Sequence, residues 1–313
     1  MRVLITGASG YIGKAVAKAF RAKGHRVYGM VRREEDARQL GADEILAVKA
    51  DLSEPESYRK ILEEVEVVVH CAADPSPKGV DLDGKTIDFV TNTFLKSTLP
   101  RLFIYTSGVW VYGSAGHQLV DEATPVNPID IVKWRPAHED KVLNAAKANL
   151  KTMVLRPGCV YGQVGGLMRI LFDSTLHKSV TVINDGHYRW PMIHVKDLAH
   201  AYVSTAEKEL TGVVLNVVDD SSATVREMAE AIAKVAKLDG KIHSLNYEQA
   251  LKQFGPLVQG LTLDLQVNNS RIKRLLGWQI HHAPFINDVD IYYNAWKTTQ
   301  FQEENGKILK TVG

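Results

Sequence analysis

Gly7, Gly10 and Gly13 recur at short spacing in the stretch GASGYIG, after the apolar run VLIT and ahead of a helical pattern. Glycines so placed let the chain turn tightly and let a backbone approach a pyrophosphate. The free N–H groups and the positive end of the following helix would meet that charge. Ser9, Tyr11 and Ile12 fall in the same turn and are assigned with it to dinucleotide binding. A second short stretch selects the cofactor. In VYGMVRRE, Val31 stands where a carboxylate would bond a ribose 2′-hydroxyl, and Arg32 and Arg33 follow. Two guanidinium groups suit a 2′-phosphate, so the expected cofactor is NADP(H). Glu34, Glu35 and Asp36 open the next helix, where acidic residues are ordinary. Metal and thiol chemistry find less support. The eleven histidines contain no H-E-x-x-H pattern, and Cys71 and Cys159 lack ligand spacing, so no metal site is expected. Cys71 closes an apolar strand and reads as core, whereas Cys159 has a place facing the nicotinamide.

The elements that must position these residues alternate strand and helix. VLIT is followed by YIGKAVAKAFRAKG, with Ile12, Ala15, Val16, Ala19 and Phe20 at helical spacing and Gly24 as its stop. RVYGMV, a strand within EILAVKADL, the apolar run EVVVHCA, RLFIYTS and KTMVLRP continue the series. Ser53 and Glu56 predict a capping box, with Pro55 in the first helical turn. Uninterrupted apolar strands between helices predict an α/β fold, a Rossmann doubly wound parallel sheet. After residue 162 the pattern loosens. GVVLNVV (212–218) predicts one more strand, and Thr224 with Glu227 starts a capped helix. The 313 residues, 45% hydrophobic and 24% charged, describe an ordinary globule with a full core. A formal net charge of +2 points away from nucleic acid as main partner, and no apolar run has the length of a membrane span. The first residues read as a strand with no signal-type leader, which sets a cytoplasmic location as the expectation.

These motifs together resemble the extended short-chain dehydrogenase/reductases of the NAD-dependent epimerase/dehydratase type. TGASGYIG, the pair Asp51–Leu52, the alanines Ala72 and Ala73, YTSGVWVYG, LRPGCVYG and MIHVKDLAHAY carry the likeness, which runs from residue 3 to about 280. The resemblance implies a Rossmann domain of residues 1–162 joined by a returning strand within about 190–220. It implies a smaller C-terminal α/β substrate lobe from 163–190 and 221–285, and a tail from 286 to 313. By the same likeness Asp51, Leu52, Ala72, Ala73, Thr106, Arg135, Pro157, Gly158 and Val160 join the cofactor-binding residues, and Asp74, Trp110, Tyr188 and Arg189 face the substrate. It further implies a homodimer formed through helices at about 81–97 and 136–149.

The chain departs from this family where the family's chemistry lies. The family uses a Ser or Thr, a Tyr, and a Lys four residues after the Tyr. Spacing from Gly113 puts Gly108 at the hydroxyl position, with Thr106 and Ser107 just before it. Spacing from Glu139 and Arg156 puts Ile131 at the tyrosine and Arg135 at the lysine, within DIVKWRPAHEDKVL. Isoleucine moves no proton, and arginine is too basic to act as an acid, though it can bridge hydroxyls. His138, three residues beyond Arg135, titrates near neutrality, so Ser107, Arg135, His138 and Tyr188 form the candidate catalytic set. Pro136 predicts that the helix starts near Arg135. The reading that results is an NADPH-dependent reductase or dehydrogenase of a small, largely apolar carbonyl or alcohol with an atypical site. The alternatives are a non-redox isomerase or lyase-like enzyme and a non-catalytic NADP(H)-binding sensor or scaffold.

Overall fold

The computed structural model describes residues 1–208 and 210–311, with residues 301–311 described as backbone alone. Its centre is a seven-stranded sheet built from β1 (Arg2–Thr6), β2 (Arg26–Val31), β3 (Leu46–Lys49), β4 (Val67–His70), β5 (Arg101–Thr106), β6 (Leu150–Pro157) and β7 (Val213–Val217). The strand order is β3-β2-β1-β4-β5-β6-β7, with all neighbours parallel. The chain reverses its direction of travel between β1 and β4. In sheets of this kind the crevice at that reversal, outside the carboxyl ends of the strands, holds the ligand.

The helices follow from apolar periodicity. In α1 (Tyr11–Ala22) the buried residues Gly13, Val16, Ala17 and Phe20 fall on one face. With α6 (Val195–Glu207), α1 covers one side of the sheet over Val3, Ile5, Val69 and Leu155. The helices α3 (Glu56–Glu64), α4 (Gly79–Leu95) and α5 (Arg135–Asn144) contribute to a second layer on Leu4, Val68, Phe103 and Val154. α2 is Glu34–Ala42. The expected box at Ser53 does not form. Pro55 is the N-cap of α3, its side chain caps nothing, and the Ser53 hydroxyl donates to Asp51 instead. The box at the start of α7 (Val225–Val235) does form, with Thr224 and Glu227 bonded reciprocally.

A further hydrophobic core lies outside the main sheet, around Phe172, Trp190, Met228, Ile232, Phe285 and Trp296. The segment expected to be a tail is a helix, Val289–Thr311, whose Tyr292 and Trp296 are buried in that core. Of the stretches that run between the main sheet and this core, three bond to one another. Cys159–Tyr161 pairs with Met192–His194, the Gly158 N–H donates to the Val217 carbonyl (3.0 Å), and the Asp219 N–H donates to the Met192 carbonyl (2.6 Å). No helix among the described residues is long and apolar enough to cross a membrane.

Candidate active site

The switch point opens into a cleft of about 600 Å³ lined by Gly7, Ser9, Gly10, Tyr11, Ile12 and Gly13, with Arg32, Arg33, Asp51, Leu52, Ala72, Ala73 and Asp74. Its floor admits no side chain. Gly7 has φ +67°, and a Cβ there would stand 2.8 Å from the Ala72 backbone; one on Gly13 would stand 2.1 Å from the Gly7 carbonyl oxygen. The first N–H groups of α1 have no partner within the helix and face this cradle. Glycine backbone at a helix N-terminus, beside a basic strand end, fits a dinucleotide. The Tyr11 hydroxyl donates to the Gly162 carbonyl (2.8 Å), and Gly165 and Gly166 lie against its ring, so the loop after Tyr161 closes on the glycine turn. Burial first, then the nearby Tyr292, raises the Tyr11 phenol well above its ordinary range, which keeps it a neutral donor.

The two arginines at the end of β2 differ. Arg33 is clamped by Asp36, Nε to Oδ2 at 2.9 Å and Nη2 to Oδ1 at 2.8 Å, and Asp36 itself lines the cleft. The sequence reading gave Asp36 no part in the site. Arg32 makes no hydrogen bond or ion pair among the described residues and lies on the cleft wall. Arg32 thus keeps its guanidinium unbonded in the cleft, with Asp36, Asp51 and Asp74 near enough to feel its charge.

A neighbouring pocket of about 260 Å³ is lined by Ile12, Thr106, Ser107, Gly108, Val109, Trp110, Val132, Arg135, Pro157, Gly158, Cys159, Val160 and Leu167. Here Ser107 is not free. Its hydroxyl donates to Glu139, which holds Arg156 by Nε (3.0 Å) and Nη2; Arg156 Nη1 donates to the Tyr112 hydroxyl (2.8 Å), which donates to Asn216 (2.8 Å). Buried Ser107, Glu139, Arg156 and Asn216 thus tie β5, α5, β6 and β7 together. Gly108 is open: the nearest atom to a Cβ there is the Pro157 carbonyl oxygen at 3.8 Å.

α5 begins at Arg135 with Pro136 in its first turn, as the proline requires. Arg135 Nη1 donates to the Thr106 carbonyl (3.0 Å), and its Cζ lies 4.6 Å from the Trp134 ring centre, which holds the guanidinium at the pocket wall. His138 faces α4 and is absent from the pocket lining. Its Nδ1 is 2.7 Å from Asp83 Oδ2, its ring packs against Trp134 at 4.9 Å, and Gly84 lies beneath it. Asp83 also receives the Tyr105 hydroxyl (2.8 Å) and His70 Nε2 (3.2 Å); His70 Nδ1 meets the Thr6 hydroxyl (2.7 Å). Burial pushes the Asp83 carboxyl up, but the bonds from His138, His70 and Tyr105 outweigh it and hold the group below the usual carboxylate range. A carboxylate only accepts, so both imidazoles turn an N–H toward it.

Tyr188 and Arg189 are also absent from the pocket lining. The Tyr188 hydroxyl donates to the Ile183 carbonyl (3.3 Å) inside the second core, and burial pushes its phenol up to about 12. Arg189 is paired with Asp264, Nε to Oδ1 at 2.9 Å and Nη2 to Oδ2 at 2.7 Å, with His117 at 3.2 Å. Trp110 does line the pocket and packs on Gly260. Val109, Val132 and Leu167 complete the wall; only their apolar character signalled them. Cys159 lines it too, with its thiol pushed up to about 12 by burial.

His194, Asp197 and His282 place one ligand atom each within 4.8 Å of one another. The two rings stack at 3.6 Å and 19°, so their in-plane lone pairs run alongside and do not converge on a point. Asp197 already accepts from the His281 and His282 N–H groups (3.2 and 3.1 Å) and sits 3.0 Å from His282 Nδ1.

The chain belongs to the NAD dependent epimerase/dehydratase family, whose profile matches residues 3–217. It is 28% identical over 302 residues to an uncharacterised protein of Schizosaccharomyces pombe, covering 94% of this chain and all of that one. It is 25% identical to the 4-hydroxy-2-methyl-3-oxo-4-farnesyl-3,4-dihydroquinoline-1-oxide ketoreductase of Stigmatella aurantiaca, over 80% and 78% of the two chains. Among solved structures, the UDP-glucuronic acid 4-epimerase of Bacillus cereus in complex with UDP-glucuronic acid and NAD superposes with a TM-score of 0.80 at 17% identity, covering 96% and 100% of the chains.

Proposed function

We propose that this chain is an NADPH-dependent oxidoreductase of a small, largely apolar carbonyl or alcohol, working without the family's tyrosine and lysine. The observation that carries the cofactor choice is Arg32, an unpaired guanidinium on the wall of the cleft at the end of β2. Bound nicotinamide cofactor supplies or accepts a hydride. The residues for holding it are the glycine turn, Arg32, Asp51, Leu52, Ala72 and Ala73, with Thr106, Pro157, Gly158 and Val160 toward the nicotinamide end. Ile12, Val109, Trp110, Val132 and Leu167 present the substrate with an apolar wall. Ser107 orders that wall through Glu139 instead of touching substrate. With no tyrosine, histidine or carboxylate among the described lining residues, protons come from water admitted beside Arg135. The ketoreductase among the relatives supports redox chemistry. Arg189, expected to face the substrate, is closed on Asp264, and this reading gives it no part in holding a substrate.

The test is titration of NADPH and NADH with wild-type protein and Arg32→Ala. At least about tenfold preference for NADPH, about 1.4 kcal/mol, with loss of that preference in the variant, is expected. Equal affinities in the wild type would remove the reading. The bare lining also favours a second reading, a non-catalytic NADP(H) sensor. Stoichiometric NADPH oxidation with a carbonyl substrate separates the two, and product formed without net oxidation would mark an isomerase or lyase. The same reading has the chain as a cytoplasmic homodimer joined through α4 and α5; light scattering at the mass of one chain would remove the dimer.

A further inference from the structure

Arg135 carries the one charge on the described lining of the 260 Å³ pocket. No aspartate or glutamate pairs with it among the described residues. One of its five N–H donors is spent on the Thr106 carbonyl, and its face lies on Trp134. The rest of the wall offers it nothing. Val109, Trp110, Val132 and Leu167 are apolar, burial keeps the Cys159 thiol neutral, and the Ser107 hydroxyl is committed to Glu139.

A half-buried guanidinium held in place from behind, against an apolar surface, is a poorly solvated cation with its fork unused. Such a group gains most from a planar anion that it can bind by two N–H groups, and the apolar surroundings strengthen the attraction. A single cation matches a single delocalised charge and leaves a second charge unmet. We propose that the pocket takes an apolar, ring-sized molecule bearing one carboxylate, with Arg135 as the anchor of that carboxylate. The proposal rests on the reading of the Val109, Trp110, Val132 and Leu167 side of this pocket as the substrate site, beside a nicotinamide held along Thr106, Pro157, Gly158 and Val160. It names a 2-oxo acid or 2-hydroxy acid with an aromatic or branched body as the substrate class. Trp110, backed by Gly260, is the surface for the body, and Arg135 orients the carboxylate so that the adjacent carbonyl carbon has one position.

The experiment is calorimetric titration of the full chain, saturated with NADP⁺, with benzoylformate and with its neutral isostere benzoylformamide. Quenching of tryptophan fluorescence is read in parallel. The acid is expected to bind at least about tenfold more tightly than the amide. Arg135→Gln should erase the difference between the acid and the amide. Arg135→Lys, which keeps the charge and loses the fork, should retain part of it. Urea unfolding of each variant identifies any that fails to fold, and Arg135→Lys then carries the test. Equal binding of the two compounds, binding of neither, or full discrimination in Arg135→Gln would overturn the proposal. NADPH-dependent reduction of neutral apolar carbonyls with no preference for the acid would do so while leaving the redox reading intact. Discrimination by Arg135 with no NADPH oxidation on either compound would instead remove the redox reading and keep the anion site.

Discussion

The stacked pair His194 and His282 makes acid stability a direct test of the packing. His194 is 3% exposed, caps α6 through Nδ1, which accepts from the Lys196 N–H (3.3 Å), and lies 3.6 Å from the His282 ring. Burial, then the nearby His282 and Lys196, push its imidazole down from 6.5 to about 4, with Asp197 opposing. The folded protein therefore excludes a proton that the unfolded chain takes up near pH 6.5. Stability from this group is complete above pH 6.5, falls as pH drops toward 4, and is lost below. The displacement corresponds to about 3 kcal/mol, most of it expressed between pH 7.5 and 4.5. Urea unfolding at those two pH values measures it, with His194→Asn as the comparison. Asparagine keeps an acceptor at the cap and cannot titrate. The variant is expected to be less stable at pH 7.5, having lost the stack, but to lose about 2 kcal/mol less than the wild type on acidification. Carboxylates elsewhere titrate in both proteins and cancel. Parallel losses in wild type and variant would refute the assignment.

Glu139→Gln leaves Arg156 buried beside a neutral amide, and a loss of about 3 kcal/mol in urea unfolding is expected, part of which Glu139→Met with Arg156→Met should restore. Gly7→Ala forces a Cβ onto the Ala72 backbone at positive φ, so NADPH affinity should drop by more than about tenfold, read by fluorescence titration, while circular dichroism stays native. Cys159, buried and pushed to about 12 by burial, should react with iodoacetamide at pH 8 at least about a hundredfold more slowly in the native protein than in urea, as followed by mass spectrometry.

The sheet and the glycine turn were legible because each depends on local pattern. Four-residue apolar runs such as VVVH become buried parallel strands, and glycines become a cradle where a Cβ has no room. The start of α5 was legible for the same reason, since Pro136 fits the first turn. The roles of single side chains were not. His138 shares spacing with Arg135, but Asp83, some fifty residues earlier in the chain, draws it against α4. Ser107 follows β5 as expected, yet Glu139 takes its hydroxyl, and Arg33 is taken by Asp36, three residues on. Such choices depend on which polar partner lies nearer in space, which spacing along the chain does not encode. The C-terminal helix escaped for a related reason. Its aromatic residues have little helical signature of their own and are fixed by the second core they enter.

The bonding among three of the connecting stretches has a mechanical consequence. A single strand between two packed bodies is a swivel, and two unbonded strands permit shear. Here the crossings near Gly158, Met192 and Asp219 are laced side by side by backbone hydrogen bonds, so sliding one past another would break that lacing. The three form one laced strip, and two more crossings, between Leu261 and Ile272 and between Trp278 and Phe285, join the same two cores. Gly158 and Cys159 belong both to the strip and to the wall of the small pocket. A shift of this strip would therefore carry the pocket wall with it and, through the Tyr11–Gly162 bond, pull on the glycine turn as well.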